Sequence, residues 1–340
     1  MLNLTLAALI MIGRTLFDAG EFKRIQPHFD GECDEISGII GAEDITMIDN
    51  NYALISSDYR REYMNDQDIP GAIYLYNLES RKLINLTPSI NFIFHPHGIS
   101  TLPMQDGSIQ VAVVNHQFNN HSIEIFRLQD NILTHIKSIK NKLLISPNDI
   151  VLVDNQKFYV TNDHITMKPI SQKIYDYMQI PGSNVVYYDG KEFKVVAKGL
   201  VYANGINISA DQKSIYVAEC VGRSLSIFSR DIETNELDKK QSIYLNSAID
   251  NIEVDQEGSL WIASHPKALA FMRHQKDQEK LSPSQVFKIQ LNANNNYIVE
   301  EIFLNDGKSL SGSSGATVNG NDLLIGAVFD ERFLHCQMNN

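Results

Sequence analysis

The sequence predicts an all-β chain arranged as a six-bladed β-propeller, preceded by an N-terminal hydrophobic helix. Two observations carry the prediction: short apolar runs separated by turn residues, and six copies of one segment pattern. The runs YALISSDY, IQVAVVNH, KFYVTNDH, SIYVAEC and SLWIASH are rich in β-branched and aromatic residues and are bounded by Asn, Asp and Gly. That is the pattern of strands joined by tight turns. Helical periodicity is scarce, and short helices are expected only near 168–180 and 265–280.

The repeats are AEDITMIDNNYALISSD, PHGISTLPMQDGSIQVAVVNH, PNDIVLVDNQKFYVTND, ANGINISADQKSIYVAE, IDNIEVDQEGSLWIASH and SSGATVNGNDLLIGAVF. Each runs polar pair, apolar strand, Asx or Gly turn, second apolar strand. Aligned on the second residue of the pair (Asp44, Gly98, Asp149, Gly205, Asn251, Gly315), they are spaced by 54, 51, 56, 46 and 64 residues. A period of this length holds one four-stranded blade. Chain before Glu43 and after Ser314 would complete one blade from both termini and close the ring.

The 340 residues fit one large all-β unit, and 43% apolar content is enough for a sizeable core. No Pro/Ser-rich linker or low-complexity tract divides the chain, so residues 1–30 are read as a hydrophobic or anchor segment and 31–340 as the propeller. With 29 basic against 41 acidic residues, a net charge of −12 and no basic stripe, nucleic-acid binding is disfavoured. The segment Leu2 to Ile12 is apolar but short for a membrane span, and it lacks the basic start and A-x-A site of a signal peptide. An anchor helix and a plain N-terminal helix both remain open. Cys33, Cys220 and Cys336 form no CxxC pair, which leaves zinc and redox chemistry unsupported. Cys33 and Cys336 lie near the two ends of the folded region. They read either as a bridge stapling the ring, which would imply an oxidising compartment, or as unrelated thiols.

In a propeller, equivalent positions are related by rotation about the central axis, so residues that begin each innermost strand point at one shared spot. The first residues of the six pairs are Glu43, His97, Asn148, Asn204, Asp250 and Ser314. Glu43, Asn148, Asn204, Asp250 and Asn251 form a set of carboxylate and amide oxygens with no thiolate. Such a set suits Ca²⁺, which takes roughly 6–8 oxygens in flexible geometry; zinc would want His or Cys. One step further along, Asp44 and Asp149 could hold a second, structural ion with the backbone carbonyl of Ile99. His97 and His116 begin one strand and end the next of the same segment, which puts the two imidazoles side by side to deprotonate a water and relay or orient it. His265, after the fifth repeat's second strand, is a candidate for the pocket wall. No GxSxG, HExxH, P-loop or dinucleotide fingerprint is present.

The strings AED, PHGIS, VVNH, NDIV, TNDH, ANGINIS, DNI and HP, in this order, resemble the serum paraoxonase/arylesterase family from about Cys33 to Cys336. The resemblance implies a six-bladed propeller with two calcium ions, the catalytic one held by Glu43, Asn148, Asn204, Asp250 and Asn251. It implies Asp44, Asp149 and the Ile99 carbonyl at the structural ion, a His97–His116 dyad and a Cys33–Cys336 disulfide. It implies hydrolysis of lactones, aryl esters and, in some members, organophosphate triesters, together with lipid contact through the N-terminal helix. Two departures stand out: Ser264 replaces the family's free cysteine, and the charged loop Tyr59 to Asp68 has no clear counterpart. The expectation is a calcium-dependent lactonase and arylesterase acting on small molecules, in a secreted, periplasmic or membrane-associated setting. Its rivals are a sugar-lactonase or strictosidine-synthase-like propeller and a non-enzymatic, calcium-stabilised binding propeller.

Overall fold

The computed structural model describes residues 2–65, 67–117, 120–292 and 296–339, with side chains from residue 9 onward. It contains six antiparallel sheets, whose innermost strands are Ala42–Met47, Pro96–Pro103, Pro147–Leu152, Ala203–Ile208, Ala248–Val254 and Ser313–Asn319. Each innermost strand packs against the next, and the sixth packs against the first. The chain is therefore a closed six-bladed propeller, and every innermost strand starts within two residues of a pair picked out by the repeats.

Blades 1 to 4 are continuous meanders: residues 42–85, 96–139, 147–200 and 203–244. Blade 5 spans 248–305 and carries the two-residue strand His28–Phe29 on its edge. Blade 6 takes Ser313–Asn319, Asp322–Ala327 and Arg332–Met338 from the C-terminus and its outer strand, Gly31–Ser37, from the N-terminus. Pairing both termini in one sheet removes the open edge at which the ring could come apart. Cys33 and Cys336 are opposite each other in that pairing and are bonded, so the bridge left open by residue counting exists. It closes a sequence separation of 303 residues, a length at which restricting the unfolded chain is worth about 5–6 kcal/mol on the chain-entropy model.

The apolar residues are spent between blades rather than at the axis. One cluster joins Val151, Tyr159 and Val185 of blade 3 to Ile206, Val217 and Phe228 of blade 4, and an equivalent cluster fills each of the other five seams. With burial supplied at the seams, the channel is free to carry polar side chains.

Four helices are described: α1 (Leu2–Asp18), α2 (Arg60–Met64), α3 (Pro169–Met178) and α4 (Ala268–Lys276). The last two fall where short helices are expected; α2 lies in the unmatched charged loop. Helices α2, α3 and α4 each link the second and third strands of blades 1, 3 and 5. In an antiparallel blade that link lies beside the start of the innermost strand, so all three helices roof the face onto which the polar pairs open.

Candidate functional site

Every innermost strand breaks register at its polar pair, between Ala42 and Asp44, Pro96 and Ile99, Pro147 and Ile150, Ala203 and Ile206, Ile249 and Ile252, and Ser313 and Ala316. A bulge leaves a residue unpaired and bends the strand, which turns the pair off the blade faces and into the channel. It also frees backbone N–H groups. Asp44 Oδ2 accepts the Ile99 amide of the next blade at 2.9 Å, and Asp149 Oδ2 accepts that of Ile206 at 2.7 Å. Glycine is required at the second position of alternate pairs because the strands nearly touch: a Cβ on Gly98 would lie 2.3 Å from Asp149 Oδ1, and one on Gly205 2.6 Å from the Asp250 carbonyl.

Glu43, Asn148, Asn204, Asp250 and Asn251 are all buried, at 5% exposure or less. Asn251 Nδ2 donates to Glu43 Oε1 at 3.0 Å, and Asn204 hydrogen-bonds Asp250. Four oxygens of this set have no hydrogen-bond partner: Glu43 Oε2, Asn148 Oδ1, Asn204 Oδ1 and Asn251 Oδ1. A buried polar oxygen left unpaired costs about 1–3 kcal/mol, and native folds rarely accumulate such groups. Four of them on one ring of donors form a set that a bound cation would satisfy. The donors are oxygen-only and rich in amides; among the described residues no group of three His, Cys, Asp or Glu forms a metal cluster. The chemistry fits a large, hard divalent cation and not zinc.

Asp44, Ile99 and Asp149 line a separate cavity of about 330 Å³ further along the channel. It is the Ile99 N–H that meets Asp44. Burial, then the neighbouring Glu43, raises the Asp44 carboxyl well above its ordinary range; burial, then Asp44, does the same to Asp149. Burial also raises Glu43 and Asp250, against the opposing pull of Arg60 and His265 respectively. Sequence reasoning missed one further channel acid. Glu253, two residues beyond Asn251, is raised by burial and Asp44; strand alternation from Asn251 could have found it. Arg60 Nη2 lies 3.8 Å from Glu43 Oε2; burial disfavours the joint ionisation of these five acids, which a cation among them would favour.

His97 Nε2 lies 3.4 Å from Glu43 Oε1, and His97 Nδ1 lies 3.0 Å from His116 Nε2, so the expected pair is in contact beside the acids. Burial, then Arg60, pushes His97 well down; burial, then His97, does so for His116. Burial thus disfavours the charged form of both rings. His265 Nε2 sits 2.9 Å from Asp250 Oδ2, and its ring stacks on Phe271 of α4 at 3.8 Å. His265 thus orients a ring acid from the wall of the site, and α4 holds His265.

The roof helices are clamped by histidines set between acids, none of which the sequence singled out. His95 bridges Asp58 and Asp68 at 3.0 and 2.9 Å around α2, and His164 bridges Asp163 and Asp176 at 2.9 Å each, tying α3 down. Burial alone would lower the His164 imidazole, but its two carboxylate bonds outweigh that and raise it to about 9. A raised histidine contributes stability that is complete below the unfolded value near 6.5 and is lost as pH climbs through the folded value. The amide protection factors across 169–178, which correct for the intrinsic rise of exchange with pH, should therefore fall between pH 6.5 and about 9, and His164→Gln should lower them at neutral pH. Protection factors that do not change with pH would contradict the clamp.

Known proteins share both sequence and fold with this chain. The arylesterase family model matches residues 24–338. Serum paraoxonase/arylesterase 2 of Rattus norvegicus is 34% identical, covering 90% of this chain and 88% of the rat protein. Serum paraoxonase/lactonase 3 of Oryctolagus cuniculus is 31% identical over 99% of this chain and 98% of its own. A PQQ-bound aldose sugar dehydrogenase from Streptomyces coelicolor, at 12% identity and a TM-score of 0.57 over 92% of this chain and 99% of that one, shares the fold alone. Extended similarity to the first two, over the segment that forms the propeller, means that the chain belongs to the arylesterase family.

Proposed function

We propose that this ester hydrolase is calcium-dependent and acts on lactones and aryl esters. The observation that carries the reading is the ring of four unpaired oxygens on Glu43, Asn148, Asn204 and Asn251 next to a histidine pair. With Asp250 they would hold the catalytic ion; Asp44, Asp149 and the Ile99 carbonyl would hold a second, structural one.

A calcium ion in the upper ring would polarise a substrate carbonyl and stabilise the negative charge that develops on its oxygen. His97 Nε2, facing the ring, takes the proton of the attacking water. His116 supports it through the 3.0 Å contact to Nδ1. His265 keeps Asp250 oriented, and the roof helices limit access of bulk water. A lactone opens to a hydroxy acid; an aryl ester gives an acid and a phenol.

The family relation and the disulfide favour a secreted or membrane-associated protein working in an oxidising compartment. No described helix is long and apolar enough to cross a membrane. Leu9, Ile10, Ile12 and Phe17 of α1 and Ile170 and Ile174 of α3 are exposed apolar residues on two helices whose C-terminal ends are joined by Gln179 donating to Asp18. That surface supports peripheral lipid contact by the 1–30 segment, ahead of a hydrolase domain at 31–340.

The test is turnover of an aliphatic lactone, an aryl ester and gluconolactone before chelation, after it and after calcium is restored. The proposal expects the first two to be hydrolysed, lost and recovered. Preference for gluconolactone alone would favour the sugar-lactonase reading. Calcium binding without turnover of any substrate would make the chain a binding propeller.

A further inference from the structure

The histidine pair does not end at His116. Its Nδ1 lies 3.3 Å from Nδ1 of His121, and the rings meet edge-on, with centroids 5.0 Å apart and planes at 89°. The His97–His116 contact has the same form, 4.8 Å and 77°. His121 in turn lines a surface cavity of about 390 Å³ with Lys140, Asn141 and Lys142. Asp163 of the adjacent blade is the carboxylate acting on it.

These contacts fix the protons. Each N···N contact holds one hydrogen, and a neutral imidazole has one N–H and one lone pair. If His97 Nε2 is to keep its lone pair toward the acids, Nδ1–H must donate to His116 Nε2. His116 must then carry its hydrogen on Nδ1 and donate to His121 Nδ1, which leaves the His121 N–H on Nε2. With one hydrogen in each contact, every contact is satisfied in one direction only.

We propose that His121 is a positioning residue that sets the tautomer of His116 and forms the outer end of a three-imidazole proton relay between the channel and the surface cavity. The inference rests on the hydrolase reading above, with His97 as base. When water attacks, its O–H breaks and the proton goes to His97 Nε2. The Nδ1 proton of His97 passes to His116 Nε2, that of His116 passes to His121 Nδ1, and the Nε2 proton of His121 leaves to a buffer base in the cavity. The lysines favour an anionic base there. The three rings are now in the opposite tautomers, with Nε2–H of His97 facing the site. As the tetrahedral adduct collapses and its C–O bond breaks, that proton goes to the leaving oxygen, and His121 Nε2 takes one back from the buffer. The rings return to their first state, and the acid product releases the net proton to solvent.

Two variants of the full chain separate relay from scaffold. His121→Asn keeps an acceptor near the position of Nδ1 but carries no proton; His121→Phe removes both. In dilute buffer both should lower kcat for an aliphatic lactone, by about tenfold for a relay remote from the reacting atoms, with KM unchanged. Raising phosphate or adding imidazole should restore the Phe variant toward wild type, whose own rate should not respond. In chelator-stripped protein, ¹⁵N spectra should show His116 protonated on Nδ1 in the wild type and His121→Asn, and on Nε2 or mixed in His121→Phe. Wild-type kcat in both variants, or a loss that neither buffer nor imidazole repairs, would overturn the relay. If His97→Gln retained full turnover, the hydrolase mechanism itself would fail, whatever His121 does.

Discussion

His97→Gln should lower kcat for lactone and aryl-ester hydrolysis by about 10²–10⁴-fold, the usual worth of a positioned general base, while KM changes little. The glutamine amide can still reach His116, so the loss would report the missing lone pair and not a collapsed site. His97 is suited to the task by its surroundings: burial and Arg60 disfavour its charged form, and Nε2 faces Glu43 at 3.4 Å. Steady-state kinetics with protein whose calcium response is intact would decide the matter. Full turnover would transfer the role of base to Glu43 or Asp250.

Asp149→Ala should produce the largest loss of stability of any channel substitution. Asp149 Oδ1 accepts the Ile150 amide and Oδ2 that of Ile206, so one carboxylate joins the bulges of blades 3 and 4. Its removal leaves two N–H groups in a cavity large enough for water, which holds the direct cost near the low end of about 1–3 kcal/mol. The greater loss is in calcium linkage, about 2.7 kcal/mol for an ion at a hundredfold excess over its Kd. Thermal unfolding would show a modest drop without calcium and a wide gap from wild type with it. Equal calcium-induced shifts in both proteins would remove Asp149 from the structural site.

The architecture was legible because a propeller repeats one solution. The spacing of six polar pairs located the innermost strands to within two residues, and rotation about an axis is what made a common site the expectation. His97 and His116 met as a hairpin requires, and His265 reached the site through Asp250. The Cys33–Cys336 bridge was open to residue counting, since two thiols 303 residues apart fit either reading; the family resemblance implied it, and the paired strands carry it. Residues of the roof were out of reach for a different reason. Arg60 sits on a five-residue helix whose place depends on the Pro96 and Gly41 carbonyls that its guanidinium holds. His95 gains Asp58 and Asp68 from the preceding blade, and His164 gains Asp176 only once α3 folds back over it. His121 comes five residues after His116, with no periodicity to mark it.

The central claim, that side chains from separate blades share one calcium ion, is tested most directly by calorimetric titration of the chelator-stripped protein with Ca²⁺, alongside Asn204→Ala. Asn204 offers the ring an unpaired buried oxygen from blade 4, and its side chain also bonds Asp250. Wild type should bind two ions per chain, and the variant should lose one of them while the other keeps its affinity. No calcium uptake by wild type, or an unchanged isotherm for Asn204→Ala, would contradict the account.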